Sequence, residues 1–121
     1  MGVRVSDADR AVAFYQQLGF VVTARYEAER VIILRHAVGI EVNLIVNAER
    51  SEQGNVLLDA PVKHPGYTHL ALRVPDVWRA HEQAQALGFN ISEGPLQLGD
   101  GWSFFVRDPD GNVLELRAPG P

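Results

Sequence analysis

The chain has 121 residues, a formal net charge of −4 and no cysteine. That length suits one domain with a core of its own, and the absence of thiols excludes disulfides, thiolate metal sites and cysteine nucleophiles. No apolar run reaches the roughly 18 residues of a membrane span, no basic-then-apolar leader opens the chain and no basic cluster offers a face to nucleic acid, so a cytoplasmic protein with neither a membrane nor a nucleic-acid partner is expected.

In chain order, GVRV at 2–5 alternates as a strand does. Asp7 stands where a helix N-cap would, its carboxylate able to satisfy a free amide of the first turn. Ala11, Phe14, Tyr15 and Leu18 then recur at helical spacing, and Gly19 suits the left-handed position that ends a helix. FVVTARYE (20–27), RVIILRH (30–36) and GIEVNLIV (39–46) read as three strands. A polar, Gly/Pro-punctuated stretch of about 47–65 reads as a connector. The pattern then begins again. HLALRV (69–74) is a strand; Asp76 caps a helix with Val77, Ala80, Ala84 and Leu87 on one face and Gly88 at its end. NISEGPLQL (90–98), WSFFVRD (102–108) and NVLELRA (112–118) are strands, the last two joined by the turn signal DPDGN.

The recurrence is an internal repeat. Val5, Asp7, Arg10, Ala11, Leu18, Gly19 and Phe20 return as Val74, Asp76, Arg79, Ala80, Leu87, Gly88 and Phe89, always 69 residues on. LRHAVGIEV (34–42) answers VRDPDGNVLEL (106–116), with a turn expected to be two residues longer in the second copy and Glu41 expected to match Glu115. The fold expected is α+β: one domain over 1–121, built of two βαβββ modules, about 1–46 and 66–118.

Strand alternation sorts the polar residues. His69, Ala71 and Arg73 share one face of their strand, Glu115 and Arg117 one face of theirs, and Glu41 and Asn43 one face of theirs; the apolar alternates should pack on the helices. A single mid-strand glutamate is ordinarily a solvated residue. Two glutamates joined by a strand histidine form a donor set for a divalent cation, carboxylate oxygen with imidazole nitrogen. Arg4 and Arg73 are repeat equivalents. Either could grip an anionic substrate tail, or equally pair with Glu41 or Glu115. His36, His64 and His81 read as surface histidines, in a turn, in the connector and on a helix.

The paired modules, with VSDADRAVAFYQQLGF, THLALRVPD and DPDGNVLEL, resemble the vicinal oxygen chelate superfamily: glyoxalase I, methylmalonyl-CoA epimerase, fosfomycin-resistance enzymes, extradiol dioxygenases and the metal-free bleomycin-resistance proteins. The resemblance spans nearly the whole chain and is specific for the fold rather than the reaction. It implies curled mixed sheets that form a cleft with helices outside, and metal ligands on the first and last strands of each module. Carried to this chain, the ligands are His69, Glu115 and Glu41. The fourth position falls immediately before Met1, where the offset of 69 puts the counterpart of His69. The implied function is a divalent-metal-dependent lyase or isomerase of the glyoxalase I type, acting through an enolate on a vicinal-oxygen substrate. Glu115 or Glu41 would be its base, and Arg4, Arg73, Asn43, Phe105 and Trp102 its substrate-binding residues. Zn, Ni, Mn, Co, Mg and Fe all stay open as the cofactor. The alternative is a metal-free drug- or metabolite-binding protein, the first-module ligand being missing. A small-molecule ligand and a homodimer are the partners implied.

Overall fold

The computed structural model describes residues 1–50 and 54–119; residues 51–53 of the expected connector lie outside the described residues. It has two units, Met1–Gly54 and Asn55–Pro121. In the first, β1 (Gly2–Val5), α1 (Ala8–Gln17), β2 (Val21–Tyr26), β3 (Val31–Arg35) and β4 (Glu41–Val46) follow in order. In the second, β5 (His69–Arg73), α2 (Val77–Ala86), β6 (Asn90–Leu98), β7 (Gly101–Arg107) and β8 (Val113–Pro119) repeat the sequence of elements. The class is α+β with two four-stranded mixed sheets, ordered β1-β4-β3-β2 and β5-β8-β7-β6. In each, the first strand runs parallel to the last and the remaining pairs are antiparallel.

Both helices start and stop by the same local chemistry. Asp7 accepts from the Arg10 amide at 3.0 Å, and Asp76 from the Trp78 and Arg79 amides at 3.0 and 3.2 Å. At the other end, Gly19 has φ +99° and Gly88 φ +75°. The amides of Phe20 and Phe89 reach back to the carbonyls of Tyr15 and Ala84, and those of Gly19 and Gly88 to Gln16 and Gln85. That pairing satisfies carbonyls a helix end leaves open.

One face of each sheet packs on its helix. Val5, Ile32, Leu34, Val42 and Leu44 are buried with Ala11, Phe14, Tyr15 and Phe20 of the first unit; Leu72, Phe104, Val106, Leu114 and Leu116 are buried with Val77 and Ala84 of the second. Between β6 and β7 the backbones approach closely at Gly94, where an added Cβ would stand 2.6 Å from the Ser103 carbonyl oxygen. Only glycine fits there.

The hairpins correct one expectation. The Gly39 amide bonds the His36 carbonyl, and the Gly111 amide bonds the Asp108 carbonyl. Arg35 pairs Glu41 as Arg107 pairs Val113. The two turns are therefore equally long, and the two hairpins align without a gap, 72 residues apart: Glu41 corresponds to Val113, and Asn43 to Glu115. Matching glutamate to glutamate had forced an insertion into a turn that has none.

The histidines are also not all surface residues. His36 Nδ1 accepts from the Val38 amide at 3.2 Å, which leaves Nε2–H to donate to the Leu18 carbonyl at 3.0 Å. Its ring lies edge-on to Phe20. It thus ties the β3–β4 turn to the C-terminus of α1. His81 sets its ring perpendicular to Phe104, 5.2 Å away, while His64 is exposed as expected.

Candidate functional site

The polar group of the second sheet forms on the face away from α2, because β5, β7 and β8 run in a register that stacks their outward residues. His69 lies across from Val113, Ala71 from Glu115 and Arg73 from Arg117; Glu115 lies in turn across from Phe105, and Arg117 from Ser103. His69 Nε2 and Glu115 Oε1 are 3.0 Å apart. Ser103 Oγ donates to Glu115 Oε2 at 2.7 Å, and Arg117 Nη1 lies 3.3 Å from Ser103 Oγ and 3.8 Å from Glu115 Oε2. Glu115 is only 8% exposed and Ser103 is fully buried. A carboxylate buried to that degree needs such partners, since removing its hydration costs several kcal/mol. On the far side of the imidazole, Thr68 Oγ1 is 2.9 Å from His69 Nδ1. The edge of Phe105 packs against the ring at 5.7 Å between centroids.

Of the residues expected from the sequence, His69, Glu115, Arg73 and Phe105 thus come to one face. Trp102 does not. Alternation puts it with Phe104 on the helix face, where its ring meets Trp78 at 5.4 Å. In the first unit Glu41 and Asn43 share a face of β4, with Arg4 on the same face of β1, in register with Ile45. Asn43 Oδ1 is buried with no hydrogen-bond partner among the described residues. Ser103, Thr68 and Arg117 were not expected. Ser103 sits inside an apolar run where a small residue draws no notice, and its role follows only from the β7–β8 register.

The pair of His69 and Glu115 fits part of a metal centre. One nitrogen and one oxygen 3.0 Å apart can be neighbouring ligands of one ion with bonds of about 2.1 Å. A hydroxyl behind the imidazole and another behind the carboxylate hold both donors in place, as outer partners of metal ligands do. Among the described residues, no three His, Cys, Asp or Glu side chains form a group suited to an ion.

A second network, on the same face of β7, secures the start of the second unit. Arg107 holds Asp59 with two bonds, Nη1–Oδ2 at 2.9 Å and Nη2–Oδ1 at 3.0 Å. Asn55 Nδ2 and Arg107 Nη1 both donate to the Gly111 carbonyl. The Asp59 carboxyl is held below its usual range, first by the Arg107 hydrogen bond and next by the Asn55 amide.

Two βαβββ units, each with its first strand parallel to its last and one of them carrying a paired histidine and glutamate on its outward face, define a class of fold and site. The family model described as Glyoxalase/Bleomycin resistance protein/Dioxygenase superfamily matches residues 1–116, and the chain belongs to that superfamily. Among curated relatives, a lactoylglutathione lyase of Haemophilus influenzae is 31% identical over 117 residues, covering 94% of this chain and 86% of that protein. A lactoylglutathione lyase of Neisseria meningitidis is 29% identical over 126 residues, covering 94% and 84%. The crystal structure of a glyoxalase/dioxygenase from Nostoc punctiforme superposes with a TM-score of 0.80 over 100% of this chain and 89% of that one; at 18% identity the likeness is one of fold.

Proposed function

We propose that the protein is a divalent-metal-dependent lyase or isomerase that acts through an enolate on a small substrate with vicinal oxygens. The observation that carries this is the 3.0 Å approach of His69 Nε2 to Glu115 Oε1 on the outward face of the second sheet, and the names of the two relatives support the reaction class. His69 and Glu115 would hold the ion, which when bound supplies Lewis acidity toward a substrate oxygen. Thr68 Oγ1, which can donate or accept, suits either tautomer of His69. Ser103 occupies Oε2 of Glu115 and turns Oε1 toward His69; that oxygen would hold the ion or, when released from it, take a proton from carbon beside a carbonyl. Phe105 covers one side of the imidazole and limits water there.

Within the first unit, the residue that the register matches to Glu115 is Asn43 rather than Glu41. An amide oxygen in place of a carboxylate is a weaker donor, and His69 and Glu115 already satisfy each other. Both observations support a second reading, a metal-free protein that binds a drug or metabolite. Titration with Zn²⁺ and Ni²⁺, followed by an assay for formation of lactoylglutathione, separates the two. Saturable metal binding that His69→Ala removes is the expected result. No metal binding, with small-molecule binding that survives a chelator, would establish the second reading instead.

The protein is proposed to be a homodimer, a reading supported by the exposed apolar side chains Val56, Val62, Tyr67 and Trp78. Sedimentation as a monomer at micromolar concentration would refute it. Among the described residues, no helix is long and apolar enough to cross a membrane.

A further inference from the structure

The geometry points to a binding subsite for an oxyanion, carboxylate or phosphoryl, formed by Arg73 and Arg117 on the same face as His69 and Glu115. The two arginines are directly opposed in the parallel β5–β8 ladder, which sets their backbones about 5 Å apart. Alternation raises both side chains on the Glu115 side, away from Leu72 and Leu116, which are buried on the helix side. Like charges opposed across a sheet are destabilising, and the chain as a whole is negative, with a net charge of −4. The pairing is not a consequence of the repeat. The counterpart of Arg73 is Arg4, and Arg4 stands across from Ile45.

The nearby counter-charges are fewer than the two guanidinium groups need: Glu115 Oε2, 3.8 Å from Arg117 Nη1, is shared with Ser103 and belongs to the carboxylate that His69 also contacts. Arg73 is exposed and makes no ion pair with any described residue. Arg117 Nη2 lies 3.3 Å from Asp100 Oδ1, but the Asp100 side chain is 94% exposed, and such a contact is worth little in water. On its other side Arg117 is fixed by Ser103 Oγ at 3.3 Å. One guanidinium is thus oriented and its neighbour is uncommitted. Two planar forks side by side suit the oxygens of one anionic group. Arg117 is two residues along the strand from Glu115, about 7 Å, so an anion held there places the rest of a short molecule over Glu115 and His69. The inference rests on the reading that this face receives the substrate, and it names that substrate's class: a small molecule with an oxyanion a few bonds from the reacting carbon.

The test uses the full chain without added metal, at low salt, with three probes: succinate, its neutral diamide and inorganic phosphate. Succinate or phosphate is expected to bind at least tenfold more tightly than the diamide. Arg73→Gln and Arg117→Gln are each expected to weaken that binding about tenfold, and Arg73→Lys to restore part of it. A response confined to phosphate identifies a phosphoryl group, and one confined to succinate a carboxylate; either supports the subsite. Binding of neither succinate nor phosphate more tightly than the diamide, or anion binding indifferent to both Gln substitutions, overturns it. Zn²⁺ binding to the native chain is measured separately. Loss of metal binding in the native chain with the anion response intact would thus sink the metal reading alone.

Discussion

Ser103 Oγ donates a 2.7 Å hydrogen bond to Glu115 Oε2 from the neighbouring strand, with both residues buried. The bond fixes which carboxylate oxygen is left for His69. Ser103→Ala would remove a buried partner of a charged group, which costs roughly 1.5–3 kcal/mol. A fall of that size in unfolding free energy, read from denaturant midpoints, is expected, together with weaker Zn²⁺ binding. An unchanged midpoint would show that the carboxylate does not depend on the serine.

Metal affinity should separate the candidate donors. His69→Ala is expected to abolish Zn²⁺ binding, and Glu115→Gln to lower it by at least tenfold. Calorimetry that shows undiminished Zn²⁺ binding in either variant would remove that residue from the ion's ligands.

His36 predicts a stability effect remote from the site. His36→Ala breaks the bonds to the Leu18 carbonyl and the Val38 amide and uncovers Phe20, a loss of about 1–2 kcal/mol. His64→Ala, at an exposed position, should stay within about 0.5 kcal/mol. Equal effects from the two would refute the tie between the turn and α1.

Asp59 predicts an acid-side dependence. Its carboxyl titrates lower in the folded chain than its reference value of 3.8, chiefly through Arg107. The unfolded chain therefore binds the proton first, and the stabilisation is present above 3.8 and is lost as pH falls through the lower folded value. Unfolding measured from neutral pH to below 3.8 should fall less steeply for Asp59→Asn than for the native chain. Identical slopes would count against the Arg107 bond.

Much of the fold was legible in the sequence because its signals are local. Asp7 and Asp76 cap helices, Gly19 and Gly88 end them, and alternation in HLALRV and NVLELR puts His69 and Glu115 on one face. What was not legible depends on register. Identity alone aligned Glu41 with Glu115, and only the backbone bonds of the two turns show that Asn43 holds the matching position. Trp102, expected on the substrate side, goes with the helix because WSFFVRD alternates about buried Phe104. Ser103 and Arg117 acquire roles through cross-strand neighbours, and His36 through a helix end 18 residues away; no window along the chain contains those partners.

The strand that carries His69 is at the margin of its sheet, with β8 as its one neighbour there. It is also five residues long. Its amides are therefore among the first that local opening would expose to solvent exchange, whereas Glu115, on β8 between β5 and β7, stays in place. A ligand that engages both side chains would bind β5 to the rest of the sheet. Occupancy of the site should then be readable as slowed deuterium uptake at residues 69–73, before any product is looked for.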